Sequence, residues 1–164
     1  MSGSMAQEFP DGYAVTVAQH DGAWSVHRYI DAFDSLEDTI AAVRRLRSEG
    51  PAFALLNVEN EYVVVLRPGP NRARILLSDA PIAVDDDYAA DALEEAHCDI
   101  PDIDPEDLDD TDSWADGDFD ILADLGLTEE RLSLLLDADE EPADLIDDIA
   151  DALGFADELH EALR

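Results

Sequence analysis

Several residue groups in this 164-residue chain have types and spacings that invite a chemical reading, and each can be tested against what its chemistry requires. Asp116, Asp118 and Asp120 fall at the first, third and fifth positions of a calcium loop. The sixth position is then Ile121 where the turn needs glycine, and the twelfth is Leu127 where a bidentate carboxylate is required. The run Asp85-Asp86-Asp87 precedes a helical pattern, where acids favour the helix dipole, so it reads as a helix start instead of a metal site. His20, His27, His97 and His160 show no zinc-helix spacing. Cys98 is the single cysteine, and side chains of adjacent residues such as His97 rarely face each other as a nucleophile and base must, so it reads as a small apolar filler or an inert surface residue. The chain lacks GxGxxG, has no lysine for a phosphate loop, and contains no GxSxG elbow. Carboxylates are so numerous that no acid–base pair stands out. No catalytic, cofactor-binding or metal-ligating residue is assigned, and no cofactor is expected.

Arg44, Arg45 and Arg47 form the one basic cluster. They fall in the last turns of a helical pattern, where cations offset the dipole. Two other roles stay open: contact with the acidic second half, with Arg67, Arg72 and Arg74 nearby, or contact with RNA.

The elements that would position these groups fall into two halves of different charge. The chain holds 42 acids against 9 basic residues, all arginine, for a net charge of -33. Residues 1–80 carry 11 acids and seven arginines; residues 81–164 carry 31 acids and two arginines. The second half repels phosphate backbones, which argues against direct nucleic-acid binding, and attracts a basic protein surface. One cysteine allows no internal disulfide and fits a reducing compartment. No signal-peptide pattern and no apolar stretch of bilayer length is present, so the expected location is the cytoplasm, with no membrane partner.

The spacing predicts an α+β fold in the order ββαβββα. Residues 1–12 are expected to be disordered. An α+β domain over 13–98 starts with a hairpin in which Tyr13, Val15 and Val17 alternate, followed by a turn at His20-Asp21-Gly22 and a strand through Trp24, Val26 and Arg28. Ser35 is the N-cap of a helix with Asp38 in capping-box position, and Leu36, Ile40, Val43 and Leu46 form its apolar stripe up to Gly50-Pro51. Strands follow at about 52–58, 62–67 and 72–78, making an antiparallel sheet of about five strands, then a helix over 88–97. Residues 99–118, rich in acid and proline, read as an extended, mobile linker. Residues 119–164 form a helical domain, a small bundle with Thr128 as one cap and Pro142 in the first turn of the next helix. Leu145, Ile146, Ile149 and Leu153 line that helix.

Two runs in that last part are distinctive: Gly117-Asp118-Phe119-Asp120-Ile121-Leu122-Ala123-Asp124-Leu125-Gly126-Leu127, and Ile149-Ala150-Asp151-Ala152-Leu153-Gly154-Phe155-Ala156-Asp157-Glu158-Leu159. Together they resemble the tRNA adenosine deaminase-associated protein family of actinobacteria. The resemblance extends more loosely to Asp21-Gly22-Ala23-Trp24 and the following helix, spanning most of residues 13–163. It implies an association with a tRNA adenosine deaminase and brings no catalytic residues with it. The chain itself lacks the H-x-E and P-C-x-x-C elements of zinc deaminases.

The function expected on these grounds is that of a non-catalytic acidic accessory protein. Its partner would be a protein with a basic surface, such as a tRNA adenosine deaminase. The alternatives are an immunity-like or structural acidic interaction protein unrelated to RNA modification, and a small enzyme with an unrecognised site.

Overall fold

The computed structural model describes residues 12–29, 35–46, 50–69, 73–138 and 141–163. The expected disorder of the N-terminus, Arg47 and Arg72 therefore lie outside the described residues, apart from Gly12. The fold is α+β. Strands β1 (Gly12–His20), β2 (Ala23–Arg28), β3 (Ala52–Val58), β4 (Tyr62–Pro68), β5 (Ala73–Leu77) and β6 (Asp116–Gly117) form one sheet in the order β2-β1-β3-β4-β5-β6. Every neighbouring pair is antiparallel.

Side-chain alternation sorts the sheet into two apolar faces. Tyr13, Val15, Val17, Phe53, Leu55, Val63, Val65 and Leu76 point to one; Ala14, Ala54, Leu56, Val64, Leu66, Ile75 and Leu77 point to the other. Strands β3 and β4 are buried on both faces, which is why their sequences read as continuous apolar runs. Helices α1 (Leu36–Arg45) and α2 (Asp87–Glu95) cover the second face through Leu36, Val43, Ala89, Ala92 and Leu93. Helices α3 (Glu129–Asp137), α4 (Pro142–Leu153) and α5 (Ala156–Ala162) cover the first. The C-terminal helices thus share one core with the sheet. Leu132, Leu145, Ile146, Ile149, Phe155 and Leu159 all belong to it.

The caps are those the sequence specifies. Ser35 accepts from the Asp38 amide at 3.1 Å, and Thr128 from the Arg131 amide at 3.2 Å. Pro142 opens α4, and Gly154 closes it in the left-handed conformation, φ 97°. Helix α1 ends at Arg45, several residues before Gly50, and Leu46 is exposed.

The sheet has one strand more than the five expected. Strand β6 lies inside the acid-rich 99–118 segment, where neither alternation nor β-branched residues mark it. Its two residues pair with Leu76 and Leu77. Gly117 makes the approach possible, because a Cβ there would collide with the Ile75 carbonyl. The same segment contains a 3-10 helix at Pro105–Asp110, capped by Asp104 through the Glu106 amide.

Candidate functional site: an acidic groove and an arginine clamp

Strands β4 and β5 carry the two features that organise charge in this molecule. At their outer ends, Arg67 and Arg74 face each other across the ladder on the face covered by the C-terminal helices. Arg67 donates to both carboxylate oxygens of Asp124, at 2.6 and 2.9 Å, and to the Ile121 carbonyl at 2.8 Å. Arg74 donates to Asp120 at 2.8 Å. The forked geometry suits guanidinium. The Arg67 hydrogen bond holds Asp124 below the ordinary aspartate range. Contact between the first half's arginines and the acidic second half is therefore made by Arg67 and Arg74. Among the described residues no ion pair joins Arg44 or Arg45 to that half, and both are exposed at the end of α1.

The clamp also draws on positions that suggested a calcium loop. Asp120 is bound to Arg74, Ile121 and Leu127 are buried in the core, and Asp116 accepts from the Gly117 amide at 2.8 Å and from the Cys98 thiol at 3.5 Å. Among the described residues no group of three or more His, Cys, Asp or Glu side chains is arranged to hold a metal ion. Burial first, then the Asp116 charge, pushes the Cys98 thiol up to about 11, so at neutral pH it is protonated and a poor nucleophile.

The opposite end of β4 and β5 opens into a cleft of about 400 Å³. Its lining includes Glu59, Glu61, Asp79, Asp85, Asp86 and Asp109. The backbone explains why acids converge here. Glu59 and Asn60, with φ of 54° and 60°, make the tight β3–β4 turn closed by the Glu61 amide on the Val58 carbonyl at 2.9 Å. Fully buried Asn57 pins that turn by exchanging two hydrogen bonds with Asn60. Asp79 starts the 3-10 helix Ala80–Val84 just past β5. Asp86 is the N-cap of α2, accepting from the Ala89 amide at 3.1 Å and from the Tyr62 hydroxyl at 3.2 Å. The Asp85–Asp87 run thus serves the helix start, as its position implied, and Asp86 also faces the cleft. Burial raises the Asp79 carboxyl above its usual range, and burial followed by the Asp86 charge raises the Tyr62 phenol. A second depression of about 130 Å³ shares Glu61, Asp79 and Ser113 with the first and continues toward Leu135, Leu136, Pro142 and Leu145. Among the described residues no arginine or histidine lines either depression. Sequence reasoning did not single out this convergence, because turn and cap acids look alike until the strand ends are placed.

Fold and charge layout define the class: an α+β protein whose sheet is covered on both faces and whose outer helices and groove carry carboxylates. The family model described as Rv3753c-like tRNA adenosine deaminase-associated protein matches residues 12–156, and the chain belongs to that family. It is 41% identical over 156 residues to Protein Rv3753c of Mycobacterium tuberculosis (strain ATCC 25618 / H37Rv), with 94% of this chain and 88% of that relative covered. No solved structure matches the chain. No helix among the described residues is long and apolar enough to cross a membrane.

Proposed function

We propose that the protein is a non-catalytic accessory protein that binds a basic surface on a tRNA adenosine deaminase. The observation that carries this reading is the charge partition: residues 81–164 place 31 acids against two arginines. Among the described residues, Arg67 pairs with Asp124 and Arg74 with Asp120, and no other acid of that half pairs with an arginine. A deaminase that must attract tRNA presents positive charge, and an acidic protein meets such a surface quickly at low salt. Docking there would compete with tRNA or shield the enzyme until tRNA displaces it. The family's description supplies the enzyme, and the carboxylate surface supplies the mode of contact.

Size exclusion and calorimetry of the purified pair, at about 50 mM and about 500 mM salt, test this. A complex at micromolar concentration that weakens at least tenfold at high salt is the expected result. Absence of a complex at low salt, or tight binding of free tRNA by this protein alone, refutes it.

A further inference from the structure

The two depressions at the β3–β4 turn end adjoin, sharing three lining residues, and together make a two-part groove whose parts differ in character. One part is rimmed by Glu59, Glu61, Asp79 and Asp85; the other runs between Leu135 and Leu136 of α3 and Pro142 and Leu145 of α4. Asp79 and Glu61 sit where the parts meet. Trp114, 45% exposed, follows groove residue Ser113, and its carbonyl accepts the Ala80 amide at 2.7 Å, so its backbone is fixed beside Asp79. A partly exposed tryptophan one residue along the chain from the groove lining, near carboxylates that no described cation pairs with, is a setting in which a guanidinium finds both a forked acceptor and an aromatic surface. Tryptophan and arginine are also the residues that most often dominate binding energy at protein interfaces.

We propose that this groove seats an extended, arginine-bearing segment of the partner protein, with guanidinium groups on Glu61, Asp79 and Asp85 and an apolar side chain against Leu135 and Pro142. The proposal rests on the accessory-protein reading for the partner's identity and adds where and how it is held. Asp86 is set aside because one oxygen already accepts from both the Tyr62 hydroxyl and the α2 amide, whereas Asp79 has the Ile82 backbone as its hydrogen-bond partner and keeps acceptor capacity for a guanidinium. The half-buried Asp79 is the anchor. A guanidinium arriving there favours the ionised carboxylate and offsets the desolvation that raises its proton affinity, so arginine binding is coupled to loss of any proton there.

The test uses the full chain, isotope-labelled for NMR, and an amidated hexapeptide of alternating arginine and leucine as probe. Spermine, a polycation without guanidinium groups or apolar side chains, is the control. The expected result is a set of shift changes centred on Glu61, Asp79, Ser113, Leu135 and the Trp114 indole. D79N should weaken peptide binding at least tenfold and W114A at least threefold. Asp151→Asn, on the exposed side of α4, should change it less than twofold. Shifts spread over all exposed carboxylates, equal effects of D79N and D151N, equal binding of spermine, or no binding at millimolar peptide each overturn the groove. The deaminase itself separates this proposal from the one beneath it. If the enzyme binds wild type and D79N equally, the groove falls and the accessory reading stands. If the peptide binds in the groove and the enzyme does not bind at all, the assigned partner falls and the groove stands.

Discussion

Replacing Arg67 by methionine tests whether the acidic half is held to the sheet by charge or by its apolar core alone. Methionine keeps most of the aliphatic stem and removes the fork. Three hydrogen bonds disappear, two to Asp124 and one to the Ile121 carbonyl. The Arg67 side chain is 16% exposed and Asp124 is 59% exposed. The ion pair is therefore half in water, and its share is about 0.2–1 kcal/mol. The bond to the Ile121 carbonyl is the more protected one, and its loss removes about 1–2 kcal/mol. R67M should lower unfolding stability by about 1.5–3 kcal/mol in urea at pH 7, while Asp124→Asn should lower it by about 1 kcal/mol or less. The pH dependence separates the two contributions. Asp124 has its carboxyl lowered by Arg67, so its contribution is full above the unfolded value of about 4 and is lost as pH falls through the lower folded value. The gap between wild type and D124N should close in acid, while most of the R67M gap persists. An R67M effect under about 0.5 kcal/mol at pH 7, or one that vanishes in acid together with that of D124N, refutes this division.

Other outcomes follow from particular contacts. Phe155→Ala removes the ring that meets Trp24 at 5.2 Å and Phe53 at 6.0 Å, and should cost about 3–5 kcal/mol by chemical denaturation with loss of near-ultraviolet Trp24 signal. Asn57→Ala deletes both bonds from buried Asn57 to exposed Asn60 and should cost about 1–3 kcal/mol, with faster amide exchange at Asn60 and Glu61. With its thiol pushed up to about 11, Cys98 should react with iodoacetamide at pH 8 about two orders of magnitude more slowly than a free cysteine, and the rate should still be rising at pH 10. The net charge of -33 makes the folded chain repel itself. Melting temperature should therefore rise from about 10 to 150 mM sodium chloride as the screening length shrinks from about 30 to 8 Å, opposite to the salt effect on partner binding.

The hairpin, the first helix and the C-terminal helices were legible in the sequence, because each has a period and a cap. Ser35 and Thr128 announce their helices, and Pro142 and Gly154 bracket α4. Strand β6 was not legible. Two residues cannot show a period, and Asp116-Gly117 has the composition of a turn. It pairs because Gly117 lets the chain approach Ile75 closely. The groove was not legible for a different reason. Glu61, Asp79 and Asp85 belong to a hairpin turn, a strand end and a helix start, and only the ladder between β4 and β5 brings these together.

The location of the charge follows from how the sheet is covered. Because β3 and β4 are buried on both sides, each covering helix needs only one apolar stripe, and its outer face is free of packing constraints. On α4 the stripe of Leu145, Ile146, Ile149 and Leu153 meets the sheet, while Asp151 stands exposed. Carboxylates can accumulate on such faces without entering the core. The cost is mutual repulsion, which falls on stability but leaves the register of the strands untouched. Arg67 and Arg74 are spent near the seam between sheet and helices, where a fixed geometry benefits most from a fork. The groove carboxylates are left without a cation from either lining strand. Among the described residues these acids have no cationic partner, and the docking proposed above would supply one.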